Sequence, residues 1–279
     1  MIRFFDGGMG SMLNLAAGEL PEKLNISEPE RVFAVHKGYA DAGAEFITAN
    51  TFGANSLKYD NVDELVKAGV ALAKKAGKYV ALDIGPTGKL LKPMGDLEFE
   101  RAVELFAEVV RAGKDGSDVA IIETMSDMYE LKAAVIAVKE NSDLPIITSM
   151  IFDESGRLLT GGDVKSAVAM LEGLRVDAIG FNCGLGPKQM IPLVKELREC
   201  TSLPILVMPN AGLPESVDGK TVYNVSPDEF AQDMREIAKL GVSILGGCCG
   251  TTPKHIAKMI ELCKDIPDNV PEKKNDTVV

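Results

Sequence analysis

The sequence predicts a single α/β domain folded as a (β/α)8 TIM barrel. Eight short apolar runs alternate with eight amphipathic ones, the pattern of a parallel sheet wrapped by helices. The apolar runs lack strict alternation, as strands buried on both faces do. The length, 279 residues, is usual for one such barrel. An open doubly wound sheet is the alternative fold. Against it, no G-x-G-x-x-G follows the first strand, and "DGGMGSM" has the wrong spacing.

In chain order, "RFF" (3–5) leads through a long connection, 6–28, to a helical pattern at 29–42. "EFITAN" (45–50) is followed by a helix at 62–77, "YVALD" (79–83) by 98–114, and "VAIIE" (119–123) by 127–140. "PIITSMI" (145–151) precedes a helix at 163–174, and "AIGFN" (178–182) one at 188–199. "PILVM" (204–208) runs through a second long connection, 209–226, to 227–240; "SILGG" (243–247) leads to 253–263. Ser226 before Pro227 and Thr252 before Pro253 mark helix starts by a capping hydroxyl and a proline that needs no N–H partner. The barrel is therefore expected over 1–263, with a polar, proline-broken tail at 264–279.

Hydrophobic residues make up 46% of the chain and charged residues 25%, enough for a large core and against global disorder. A net charge of −11 argues against nucleic-acid partners, whose phosphates attract basic surfaces. The N-terminal "MIRFFDGGMG" does not read as a signal peptide, and no apolar run is long enough to span a membrane. Five cysteines, few and odd in number, point to a reducing cytoplasm rather than a disulfide framework.

In such barrels chemistry sits at the C-terminal ends of the strands. Those ends carry Asp6, Asn50 with Thr51, Asp83, Glu123 with Thr124, Met150, Asn182 with Cys183, Pro209 with Asn210, and Cys248 with Cys249. No lysine ends a strand, which weighs against Schiff-base chemistry. His36 and His255 fall in helical patterns and read as partly exposed surface residues. Cys183 ends the sixth strand and Cys248–Cys249 the eighth, so three sulfurs can converge at the barrel mouth. Neighbouring strand residues point to opposite faces. The pair can meet one point only where the backbone turns, a freedom that Gly246, Gly247 and Gly250 supply. Three sulfurs with no fourth ligand suit zinc with an open position. The residues alone leave other readings open: buried packing cysteines, a phosphate-cradling glycine loop or a vicinal disulfide. Cys200 and Cys263 lie in helical patterns and read as packing residues.

The motifs "DGGMGSML", "FITANTFGAN", "GFNCG", "MPNAG" and "GGCCGTTPKHI" resemble the homocysteine S-methyltransferase family, in its order, over about 1–263. The resemblance implies a (β/α)8 barrel in which Cys183, Cys248 and Cys249 bind Zn2+ and homocysteine sulfur takes the open position. It also implies that Asp6 and Glu123 contact the substrate amino group. The amides of Gly7 and Gly8 are expected to hold its carboxylate, and Asn210 to fill the fourth metal position without substrate. Asp83 is left with either a structural hydrogen bond or a role in the site. A free thiol of pKa about 8.5 is mostly protonated at neutral pH, whereas a metal-bound one is deprotonated.

The expected reaction is methyl transfer to homocysteine, giving methionine. The expected donor is a methyl-corrinoid on a partner protein. Betaine is disfavoured, because the chain has no tryptophan for an aromatic cage and Gly53 replaces the tyrosine that follows "TF" in the betaine enzymes. No D-x-H-x-x-G motif for cobalamin is present, and only about 16 residues follow the last helix. The alternatives are a standalone S-methylmethionine-dependent enzyme and a non-catalytic zinc- and homocysteine-binding module of a larger assembly.

Overall fold

The computed structural model describes residues 1–15, 18–217 and 220–267. Eight parallel strands form one sheet: β1 (Arg3–Phe4), β2 (Phe46–Thr48), β3 (Tyr79–Ile84), β4 (Val119–Met125), β5 (Ile146–Met150), β6 (Ala178–Asn182), β7 (Ile205–Met208) and β10 (Ile244–Leu245). Around the sheet they run β1-β10-β7-β6-β5-β4-β3-β2. A parallel bridge from Phe5 to Phe46 joins the ends, and the Glu45 amide donates to the Phe4 carbonyl at 2.8 Å. The sheet thus curls into the expected barrel.

All eight expected helices are present: α3 (Pro29–Asp41), α4 (Val62–Ala76), α5 (Phe99–Gly113), α6 (Met128–Asn141), α7 (Val164–Gly173), α8 (Pro187–Cys200), α9 (Pro227–Ala238) and α10 (Pro253–Cys263). The long connections hold elements that periodicity did not reveal. Residues 6–28 contain α1 (Met9–Leu13), a 3-10 turn (Pro21–Lys23) and α2 (Leu24–Ser27); 209–226 contains the antiparallel pair β8 (Glu215–Val217) and β9 (Lys220–Val222). These pieces are three to five residues long, too short for a periodic signal. The expected tail lies, from residue 268 onward, outside the described residues.

Strand parity sorts the core into two layers. Ala81, Val119, Ile121, Ile147, Ala178 and Leu206 pack together inside the barrel with Phe5, Met208 and Ile244. Their neighbours Leu82, Ala120, Ile122, Ile146, Ile179 and Val207 pack outward in the helix layer. Both faces are apolar, which is why the runs showed no alternation. The same parity turns Asp83, Glu123, Ser149 and Asn182 toward the barrel axis near the top, on the faces of Ala81, Ile121, Ile147 and Ala178.

Helix ends follow the capping logic. Ser226 Oγ accepts from the Glu229 amide at 3.3 Å while Glu229 accepts from the Ser226 amide at 3.1 Å. At Thr252 the reciprocal partner is His255, whose Nδ1 accepts from the Thr252 amide at 3.2 Å. His255 Nε2 then donates to the Val225 carbonyl at 3.0 Å. This corrects the surface reading of the histidines: His255 is buried as a cap, and His36 is fully buried with no hydrogen bond to either ring nitrogen. Burial holds His36 down at a pKa of about 4, so it sits neutral in the core.

Cys263 is fully buried in the core and Cys200 packs at its edge. Alanine at either position is expected to cost only about 1 kcal/mol and to leave metal content unchanged. Denaturation midpoints together with metal analysis check this.

Candidate active site

The top of the barrel opens a cavity of about 370 Å3. Its wall includes Asp6, Gly7 and Gly8 after β1, Glu22 from the 3-10 turn, and Thr48 and Asn50 from β2. Asp83, Glu123, Thr124, Cys183, Cys248 and Cys249 complete the part with reactive chemistry. The sequence-derived candidates thus come together, with one exception. Asn210 is not among the lining residues; its amide donates to the Leu185 carbonyl at 3.0 Å, and its buried Oδ1 has no partner.

The three sulfurs lie within 4.8 Å of one another, with Cys183 Sγ 3.9 Å from Cys249 Sγ. Tetrahedral thiolate ligation with metal–sulfur bonds of about 2.3 Å places sulfurs about 3.8 Å apart. The cluster therefore fits a divalent ion bound on one side and open on the other. How the backbone achieves this differs from expectation. Cys183 itself takes a left-handed φ of 57°, followed by Gly184 at 68°, and on the other loop the left-handed residue is Gly250 at 78°. Gly246 and Gly247 contribute lack of bulk instead. A Cβ on Gly247 would stand 2.5 Å from Thr251 Oγ1, and one on Gly246 2.9 Å from the Phe5 Cβ. Gly8 is equally constrained, since its Cβ would stand 2.6 Å from the Cys248 carbonyl oxygen.

Without a cation the three thiols cannot all ionise side by side. Cys249 is pushed down to about 3 by hydrogen bonds from the Cys183 and Cys248 thiols, with Tyr223 adding a third. Cys248 is pushed well up, because its thiol is engaged by Cys183 and Cys249 and burial penalises its thiolate.

The carboxylates crowd in the same way. Asp6 accepts from the Thr48 amide at 2.9 Å and hydroxyl at 2.7 Å, yet burial raises its pKa to about 7. Burial, then the charges of Asp6 and Cys249, raise Glu123 to about 8. Asp83 is buried with Oδ1 unpartnered, and burial followed by the charge of Glu123 pushes its pKa well up. No lysine, arginine or histidine lines the cavity among the described residues. A cation entering the cavity would relieve this crowding of carboxyl groups.

A pH dependence follows. Asp6 and Glu123 bind a proton more tightly folded than unfolded, so their contribution to stability is fully present below about pH 4 and is lost as pH rises through 7 and 8. The slope is at most about 1.4 kcal/mol per pH unit per group. In metal- and substrate-free protein, Tm should fall between pH 5 and 8.5, and fall less in Glu123→Gln. Parallel profiles would mean that Glu123 is solvated.

Sequence reasoning missed four residues here. Glu22 accepts from the Gly53 amide and the Tyr59 hydroxyl, each at 2.5 Å, fastening the first loop across β2. Thr251 Oγ1 accepts from the Gly8 amide at 3.1 Å and donates to the Cys248 carbonyl at 2.6 Å. The Gly8 N–H expected to face substrate is therefore already engaged. Tyr39 ties the same loops, its hydroxyl reaching the Thr251 carbonyl at 2.9 Å and that of Gly8 at 3.2 Å. Tyr223, just beyond β9, packs on Gly250 and hydrogen-bonds Cys249. None lies in a pattern that sequence periodicity can expose; only "GGCCGTT" hinted at Thr251.

Fold and site together define an α/β barrel with three convergent thiols able to hold a cation and an acidic pocket at the strand ends. The homocysteine S-methyltransferase family model matches residues 3–263. The chain belongs to that family. It is 32% identical to a methionine synthase of Mycobacterium leprae (strain TN), across 93% of this chain and 24% of that protein. A methionine synthase of Mycobacterium tuberculosis (strain ATCC 25618 / H37Rv) is likewise 32% identical, across 91% of this chain and 24% of that protein. The chain thus spans about a quarter of the length of these relatives. Among solved structures, the metallated form of the Escherichia coli homocysteine methyltransferase MmuM superposes with a TM-score of 0.78 at 23% identity, covering 92% of this chain and 95% of that one. That likeness concerns the fold.

Proposed function

We propose that this chain is a zinc-dependent homocysteine S-methyltransferase that converts homocysteine to methionine. The observation that carries the reading is the pairing, in one cavity, of three convergent thiols with carboxylates and, among the described residues, no basic side chain. Cys183, Cys248 and Cys249 would hold the metal. Zinc bound there would keep an incoming thiol deprotonated and nucleophilic at neutral pH.

The chain's own residues do the rest. Glu123, and Asp6 held by Thr48, receive the substrate ammonium, and that cation draws both carboxyls into their ionised forms. With the Gly8 amide given to Thr251, the Gly7 amide, which has no hydrogen-bond acceptor among the described residues, is the one left to meet the substrate carboxylate. Asn210, with its unpartnered buried Oδ1, is the proposed oxygen ligand in the absence of substrate. Asp83, its pKa pushed well up by burial and then by Glu123, is the carboxyl of the three that keeps its proton. Closely packed free thiols suit a reducing, cytoplasmic setting.

For the methyl donor we favour a methyl-corrinoid presented by a partner protein. Phe52 is the one aromatic among the described lining residues, too little for the cage a quaternary ammonium needs. The similarity to methionine synthases over a quarter of their length also favours a second reading, a homocysteine-binding module serving a larger assembly. Metal analysis with methionine formation against a panel of donors tests both. The expected result is one zinc per chain and slow turnover with free methylcobalamin, faster with a corrinoid protein. Turnover with S-methylmethionine and none with methylcobalamin would overturn the donor assignment. Zinc and homocysteine binding without turnover by any donor would leave the module reading. Among the described residues no helix is long and apolar enough to cross a membrane.

A further inference from the structure

Asn182 ends β6 one residue before Cys183 and is fully buried. Its Oδ1 accepts from the Thr124 amide at 2.8 Å and from the Ser149 hydroxyl at 2.8 Å. A backbone amide can only donate, so the oxygen of the side chain must face Thr124 and Ser149. Nδ2 therefore points the other way, to Thr124 Oγ1 at 2.7 Å and Cys248 Sγ at 3.9 Å. Two acceptors meet the two N–H bonds, and two donors meet the oxygen. The amide has one orientation, and it aims an N–H at a sulfur of the thiol cluster.

We propose that Asn182 is a positioning residue for that cluster, its locked Nδ2–H orienting Cys248 Sγ toward Cys183 and Cys249 and stabilising the sulfur as a thiolate. The inference rests on reading the three thiols as a metal site. Three thiolates facing Asp6 and Glu123 carry more negative charge than one divalent ion offsets. A neutral N–H donor draws charge from one sulfur without adding a cation that would compete with the metal or the substrate ammonium. The same side chain fixes Thr124, which stands at a left-handed φ of 59° directly after Glu123. One buried amide thus ties the carboxylate end of β4 to the thiol loop after β10. A hydroxyl or an apolar residue at 182 cannot make all four contacts.

Cobalt(II), a spectroscopically visible substitute for zinc, provides the test. It is titrated into the metal-free full chain as wild type, Asn182→Asp, Asn182→Ala and Ser149→Ala, with Tm measured alongside. Wild type should bind one ion per chain and show sulfur-to-cobalt charge transfer. Asn182→Asp keeps the shape and loses the donor, so cobalt binding should weaken about 10–100-fold. Its charge-transfer absorption should move to longer wavelength, because a sulfur without its hydrogen bond gives up electrons more readily. Asn182→Ala should shift in the same direction and carries the test where Asn182→Asp does not fold. Ser149→Ala removes only a contact to Oδ1 and should match wild type in affinity and spectrum.

Wild-type affinity with an unmoved spectrum in a folded Asn182 variant would overturn the proposal. So would an equal loss in Ser149→Ala, which would mean general loosening of the barrel top. Failure of the wild type itself to bind cobalt would overturn the metal site and this inference with it, an outcome distinct from the first two.

Discussion

Alanine in place of Cys183, Cys248 or Cys249 is expected to abolish methyl transfer and to strip most of the metal from the protein. The three sulfurs fit one tetrahedral face, with the 3.9 Å Cys183–Cys249 separation close to that of two thiolates on a shared ion. Two thiolates cannot hold an ion tightly while leaving a position open for substrate. The loss should be similar for all three variants, because each removes one of the three proposed ligands. Metal content by mass spectrometry and methionine formation are the measurements. A Cys249→Ala variant with full activity and one ion per chain would eliminate the three-thiol site. Folding should survive, since all three thiols sit at the cavity wall rather than in the helix–sheet core.

Neutralising Glu123 has the second largest expected effect. Glu123→Gln keeps the shape and the three thiols and removes the carboxylate proposed to pair with the substrate ammonium. Charge-assisted hydrogen bonds contribute about 1.5–3 kcal/mol, so the homocysteine KM should rise roughly tenfold to a hundredfold with metal content unchanged. Asp6→Asn should raise it by a similar factor, with an added structural cost. Asp6 accepts both the Thr48 amide and hydroxyl, so an asparagine must turn its oxygen to the amide and reverse the second bond, with its nitrogen donating to the hydroxyl. Calorimetric titration of homocysteine separates binding from turnover. Unchanged binding in both variants would place the amino group elsewhere.

The barrel was legible in the sequence because each strand–helix unit announces itself locally. Buried strands read as short apolar runs, helices as amphipathic stretches, and entries such as Ser226–Pro227 as capping signals. The positions of Cys183, Cys248, Cys249, Asp6 and Glu123 at strand ends were legible for the same reason: ends of strands are where runs stop. Connections 6–28 and 209–226 were legible only as long loops. Their short elements depend on contacts made across the barrel, such as Glu22 to Gly53 and Tyr59.

By itself, then, the sequence determined an alternating α/β chain of barrel length, a set of strand-end residues and a recognisable order of motifs. These depend on local periodicity and on chain order. The tertiary structure alone decided which groups share a volume. It gave the Gly8 amide to Thr251 and set Tyr223 against Cys249. It also locked Asn182 between Thr124, Ser149 and Cys248. The physical reason is range: hydrogen bonds, sulfur contacts and carboxylate repulsion act over a few ångströms. Only closure of the sheet brings residues such as Asp6, Glu123 and Cys248, far apart in the chain, within that distance.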